Sequence, residues 1–188
     1  PGRRVVLAFL DLAFVLPAIV VIFGVVAVWG RGGLAGAGLV ALGADGRWLY
    51  GLPGILLAHV AFNAPFAARV FLGALEAVPG EHWRLAAHLG MGPGAVFRLI
   101  DRPVLAREAP GVAGLVFLVC FTSFPIVLAL GGGPGAATLE VAIYEAIKAD
   151  ADFGRAAALA ALQIGLCLAL VLAVAAAERR PDETAATG

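Results

Sequence analysis

Four stretches of about twenty residues or more are almost free of charge, and no other feature constrains the fold so tightly. The apolar runs are Val5–Trp29, Leu52–Leu75, Gly111–Leu130 and Ala156–Ala177, placing spans at about 5–29, 52–77, 109–130 and 155–177. Asp11 interrupts the first and Arg69 the second; the other two carry no charge. At 1.5 Å per residue, about twenty helical residues cross a hydrocarbon layer about 30 Å thick. Composition agrees: 62% of the 188 residues are hydrophobic and 14% charged, against about 25% charged in soluble domains. A soluble chain of this size has too little interior to hide so much apolar surface. Lys+Arg 13 equals Asp+Glu 13, so the basic excess of a nucleic-acid binder is missing. Lipid offers no partner to a backbone N–H or C=O, so each span must be helical. The expected fold is all-α, a polytopic transmembrane helix bundle of about four spans. Pro17 and Pro65 fall inside spans and are expected to kink them.

Orientation follows from the basic residues. One side collects Arg3, Arg4, Arg84, Arg98, Arg102, Arg107, Arg179 and Arg180, with Arg69 at the adjoining helix end. The other collects only Arg31, Arg47, Lys148 and Arg155. The first side, with both termini and the loop at about 78–107, is therefore expected in the cytoplasm. Pro1-Gly2-Arg3-Arg4 leads into a run too long for a signal-peptide core, so the chain is expected to begin inside a longer protein.

On the outer side, Gly30–Gly51 is glycine-rich, with Trp48 and Tyr50 at the interface before the second span. Thr138 is placed to cap a short helix whose Leu139, Ala142, Ile143, Ala146 and Ile147 make one apolar stripe. On the inner side, Pro79-Gly80 closes the second span, and Glu81–Leu89 reads as a short helix with its acid at the positive end of the dipole. Gly90 takes the left-handed position that ends it. Pro93 starts a second short helix presenting Val96, Phe97 and Ile100, and Pro103 stops it. Two short amphipathic helices would make a docking platform for a soluble partner.

Few residues carry chemistry. Cys120 and Cys167 sit in apolar runs without a Cys/His cluster, which supports no metal site. There is no GxSxG or HExxH pattern for an intramembrane enzyme. Gly131–Gly135 lacks the Lys-Ser/Thr of a phosphate loop and reads as an outer turn. No catalytic residue, cofactor or metal is expected in this chain. His59 and Asn63, four apart, share a face of the second span. They either line a translocation route or make a hydrogen bond that fixes packing. Arg69 is expected to snorkel inward; Asp11 pairs with Arg3, Arg4 or a basic residue of a neighbouring helix. Ala157, Ala161 and Gly165 are spaced for close helix contact.

Leu85-Ala86-Ala87-His88-Leu89-Gly90, then Val96-Phe97 and Pro103-Val104-Leu105, resembles the EAA loop of ABC-importer permeases. Aligned on Gly90, the family's Glu falls on Arg84, its two Ala on Leu85 and Ala86, and its Pro on Pro103. His59-Val60-Ala61-Phe62-Asn63-Ala64-Pro65, Val78-Pro79-Gly80-Glu81, Cys120-Phe121-Thr122-Ser123-Phe124 and Thr138-Leu139-Glu140-Val141-Ala142-Ile143-Tyr144 look like thiamine ABC permeases. So does Leu130-Gly131-Gly132-Gly133-Pro134. The resemblance covers about Pro17 to Ala177 and is similar to most of the N-terminal half of a two-half permease. It implies a type I importer-like permease of the bacterial inner membrane, moving thiamine or its phosphates. Permeases for iron(III), sulfate or polyamines are the alternative, as is a membrane scaffold that transports nothing. The implied partners are cytoplasmic ATP-binding subunits that hydrolyse ATP, a periplasmic substrate-binding protein and a second permease half or protomer. Glu81, Trp83, Arg84, Leu85, Ala86, Ala87, His88, Gly90 and Pro103 would form the coupling element, and His59 and Asn63 the pathway.

Overall fold

The computed structural model describes residues 2–131 and 136–183. Every regular element among them is helical: α1 (Gly2–Val15), α2 (Ala18–Trp29), α3 (Gly36–Ala41), α4 (Leu52–Glu76), α5 (Gly80–His88), α6 (Pro93–Val96), α7 (Arg102–Phe121), α8 (Phe124–Leu130), α9 (Leu139–Lys148) and α10 (Phe153–Glu183). A single π turn, Phe97–Asp101, joins α6 to α7. Three helical segments are long and apolar enough to cross a membrane: Leu52–Glu76, Pro93–Phe121 and Phe153–Ala177. The turn expected at Gly131–Gly135 lies, apart from Gly131, outside the described residues.

The first expected span is two helices. Pro17 has no N–H to return to the preceding turn and its ring crowds the carbonyl four residues back. The helix therefore ends at Val15 and restarts at Ala18, with Pro17 in an extended conformation (φ −59°, ψ 144°). Together α1 and α2 run the length of α4. Arg3 pairs with Glu76 at one end, and Ile22 and Val25 of α2 pack with Ile55 and Ala58 of α4 at the other. Pro65, by contrast, is carried inside α4 without a break.

The third expected span is offset. Pro103 does not stop a short helix; the helix continues from Pro93 to Phe121. The π turn just before Pro103 loosens the backbone where the ring would otherwise meet a carbonyl, and Arg102 N–H reaches back five residues to the Phe97 carbonyl. The true break is at Thr122–Ser123, after which α8 restarts with Pro125 in its first turn. The inner platform is therefore one short helix, α5, beside the foot of a long rod.

The best-packed core lies at the α9 end, where Ile22, Val25, Leu49, Ile55, Ile126, Val127 and Leu130 converge from four segments. Trp48 packs on this core, edge-on to Trp29 at 6.2 Å. Thr138 precedes α9 without a capping hydrogen bond from its side chain, and α9 buries Val141 and Ala146. It is tied to α10 by Gln163 Nε2 donating to Glu140 Oε1 at 2.6 Å. The helix contact expected of Ala157, Ala161 and Gly165 is made elsewhere. Nothing lies within 4 Å of where a Gly165 Cβ would be, whereas a Cβ on Gly114 would meet Val174 Cγ2 at 2.7 Å. Gly114 is thus the point where α7 and α10 touch backbone to side chain.

Candidate functional site

Two places gather the chain's polar residues, and they lie at opposite depths. The first is α5 with the foot of α6. Glu81 stands in the first turn and His88 in the last, each opposing the local end of the helix dipole. At the C-terminus Gly90 takes φ +64°. Its N–H donates to the Ala87 carbonyl (3.1 Å), and Met91 N–H to the Ala86 carbonyl (3.0 Å). That pair of bonds is a Schellman cap, and the positive φ is what calls for glycine there.

Of the residues expected to couple, Ala86 is buried and Trp83 half-buried; Glu81, Arg84, Leu85, Ala87, His88, Gly90 and Pro103 are exposed. Pro103 stands apart from the rest, on the long rod instead of the short helix. The surface they make is apolar and basic together. Leu85, Leu89, Phe97 and Leu99 are each more than half exposed. Arg84, Arg98 and Arg102 are exposed among them and, among the described residues, take no carboxylate partner.

The second place is a cavity of about 270 Å³ walled by α4, α2 and the break between α7 and α8. His59, Phe62 and Asn63 face it from α4, Ala18 from the restart after Pro17, and Thr122 and Ser123 from the second break. His59 and Asn63 are each 93% buried. The structure brings them together by main chain: Asn63 Nδ2 donates to the His59 carbonyl at 2.9 Å and lies 3.4 Å from Cys120 Sγ. Among the described residues, neither ring nitrogen of His59 has a hydrogen-bond partner. Thr122 Oγ1 donates to the Leu118 carbonyl at 2.9 Å, a local bond of the kind that bends or ends helices. Cys120, Thr122 and Ser123 had no place in the sequence-derived site. The signal was the run Thr122-Ser123-Phe124-Pro125, which interrupts an apolar helix with two hydroxyls and a proline.

Asp11 and Arg69 pair with each other, Arg69 Nε to Asp11 Oδ1 at 3.0 Å. Asp11 thus finds its partner on the neighbouring helix, which the sequence left among several choices. With Arg3–Glu76 this makes two ion pairs between α1 and α4. Among the described residues no cluster of His, Cys, Asp and Glu could hold a metal ion.

Residues 1–183 match the family described as the inner membrane component of binding-protein-dependent transport systems. The chain is 48% identical over 184 residues to the thiamine transport system permease protein ThiP of Brucella abortus (strain 2308), covering 97% of this chain and 34% of that one. It is 49% identical over 173 residues to the protein of that name from Escherichia coli (strain K12), covering 92% and 32%. Against the Haemophilus influenzae (strain Rd) protein it is 43% identical over 171 residues, covering 90% and 32%. The chain spans about a third of the length of these curated relatives.

Proposed function

Because the chain belongs to the family of inner membrane components of binding-protein-dependent transport systems, we propose that it is the membrane-spanning part of an ATP-driven importer for thiamine or its phosphates. The observation that carries the substrate is the 43–49% identity to thiamine permeases, spread over nearly the whole chain. In this reading a periplasmic binding protein delivers the substrate to the α9 end. Separate ATP-binding subunits dock at the α5 end in the cytoplasm, and both ends of the described chain lie on that side. ATP hydrolysis belongs to those subunits, and a second permease half completes the pathway.

In this reading the chain has a specific mechanical part. Helix α5 is held between two long helices by short joints, Ala77–Pro79 on one side and Leu89–Gly92 on the other. On one side α4 runs from Glu76 up to Asn63 and His59. On the other, the helix from Pro93 to Phe121 runs about 43 Å before ending at Thr122–Ser123. Both rods start beside α5 and reach the walls of the same cavity. A push on α5 by a closing ATPase is therefore delivered to the two sides of the cavity through two short joints only. The exposed Leu85, Leu89 and Phe97 supply the apolar grip, and Arg84 fixes its direction against an acidic partner surface.

The test is uptake of labelled thiamine by a transport-deficient strain carrying the full-length protein with its ATPase and binding protein. Uptake is expected to be restored. Arg84→Glu is expected to abolish uptake while ATP hydrolysis and membrane insertion persist. No uptake from the wild-type protein refutes the substrate; normal uptake by Arg84→Glu refutes the coupling role.

A further inference from the structure

The cavity beside His59 has properties that packing alone does not explain. A first apolar stretch breaks at Leu16–Pro17 and another helix breaks at Thr122–Ser123, and the residues at both restarts line this one space. Irregular backbone at membrane depth is tolerated only where it is covered by protein or lines a polar cavity. Discontinuous helices meeting at mid-membrane are a recurrent way of building a solute site. His59 stands seven residues inside α4, about 10 Å below the end of that helix.

The hydrogen-bonding capacity around the cavity is unspent. Both ring nitrogens of His59 are enclosed without a partner among the described residues. Asn63 commits its amide nitrogen to the His59 carbonyl and Cys120, and its amide oxygen and the Ser123 hydroxyl are further polar groups of the lining residues. A buried polar group left unpaired is costly, because it has given up its water without a replacement. The same lining holds no Asp, Glu, Lys or Arg, while Phe62 offers an aromatic ring. A full charge in such a place would go uncompensated. At about 270 Å³ the space is smaller than the roughly 300–1,000 Å³ of pockets that hold whole drug-sized ligands.

We propose that this cavity is a subsite for one uncharged, flat heteroaromatic ring bearing a hydrogen-bond donor and acceptor on its edge. The ring packs on Phe62, its exocyclic amine donates to Asn63 Oδ1, and its ring nitrogen accepts from Ser123 or from His59 once the imidazole turns toward the space. This deepens the permease reading and rests on it: thiamine has such a ring, an aminopyrimidine, joined to a cationic thiazolium. The site takes the aminopyrimidine and leaves the cation to the unfilled side of the pathway.

The experiment uses the full-length transporter in lipid nanodiscs with Ser123→Cys and a small water-soluble thiol reagent, following modification of that residue by mass spectrometry. Labelling is expected, slowed about tenfold or more at saturation by thiamine and by a free methyl-aminopyrimidine, and unaffected by an N-methylthiazolium salt. Phe62→Ala and Asn63→Leu are each expected to weaken protection about five- to tenfold, the worth of about 1 kcal/mol. Protection by the thiazolium alone overturns the proposal while leaving thiamine transport intact. So does labelling indifferent to all three, or no labelling in a protein that still takes up thiamine. If the wild type takes up no thiamine, the substrate reading fails by itself, and protection by the aminopyrimidine still decides the subsite.

Discussion

Val174 Cγ2 lies 2.7 Å from where a Cβ on Gly114 would be, closer than two carbons can come without something shifting. The contact sits between two helices that are otherwise apolar and largely open to their surroundings. Lipid tails are as apolar as the helix faces, so close packing, not the hydrophobic effect, holds such pairs together. Gly114→Leu is therefore expected to separate α7 from α10 and destabilise the fold by about 1–3 kcal/mol. Unfolding of the full-length protein in nanodiscs would show it as a lowered midpoint, with Val174→Ala in the same chain recovering part of the loss. An unchanged midpoint would mean the two helices slide apart freely. Gly90 and Gly114 differ instructively in how legible they were. A glycine between an amphipathic helix and a Met-Gly-Pro turn has one obvious use, and Gly90 has that use. Gly114 is one small residue in a run of small residues, and only the position of α10 singles it out. The sequence pointed to Ala157, Ala161 and Gly165 instead, because small-residue spacing is a property of one helix and contact is a property of two.

At the scale of elements, the pairing of α1 with α4 is set by charge register. Arg3 and Asp11 are eight residues apart, Arg69 and Glu76 seven, so the two ion pairs of the antiparallel helices sit about 11–12 Å apart on each. Arg3–Glu76 is at the helix ends and largely exposed, where an ion pair contributes little. Asp11–Arg69 lies deeper along the apolar stretch, where an unpaired charge is expensive, roughly 2.5–3.5 kcal/mol at a span's centre and less toward its end. Asp11→Leu is accordingly expected to lower the amount of correctly inserted protein several-fold, Arg69→Leu likewise, and the exchange Asp11→Arg with Arg69→Asp to restore it. Quantitative blotting of membrane fractions reads all three. If the exchange is as poor as either single change, the pair does not set the register. The second and fourth apolar stretches were legible as long helices, Leu52–Glu76 and Phe153–Ala177, because length and lack of charge are enough to mark them. Interruptions were not, because proline acts differently by context. Pro65 stays inside a helix, Pro17 breaks one, and Pro103 is absorbed by a π turn that no local pattern announces. Helix α5 was read to within a residue, while its neighbour was mistaken for a second short helix. The cavity was half-visible, since His59 and Asn63 share a face by spacing alone, but the hydroxyls opposite them come from another helix's break.

For the whole molecule, the proposed mechanism depends on which side of the membrane holds α5. Thirteen basic residues divide nine to four between the two ends, and the structure sharpens the meaning of that division. Arg3 and Arg69 are engaged with Glu76 and Asp11, so their charges are spent on helix pairing. Arg84 on α5 and Arg98, Arg102 and Arg107 along the rod that follows it take no carboxylate partner among the described residues. At the other end Arg155 is paired with Asp150 at 3.0 Å, leaving that side sparser still in free cation. Orientation follows Lys and Arg in short loops near span ends, and the unpaired ones are also those a negatively charged cytoplasmic leaflet attracts, by about 1 kcal/mol each near the surface. The α5 end is thus expected inside. In spheroplasts expressing the full-length protein, a membrane-impermeant maleimide should label Ala44→Cys directly and His88→Cys only after the membrane is opened. The reverse pattern would place α5 beyond the reach of any cytoplasmic ATPase, and the lever from docking helix to cavity would have nothing to drive it.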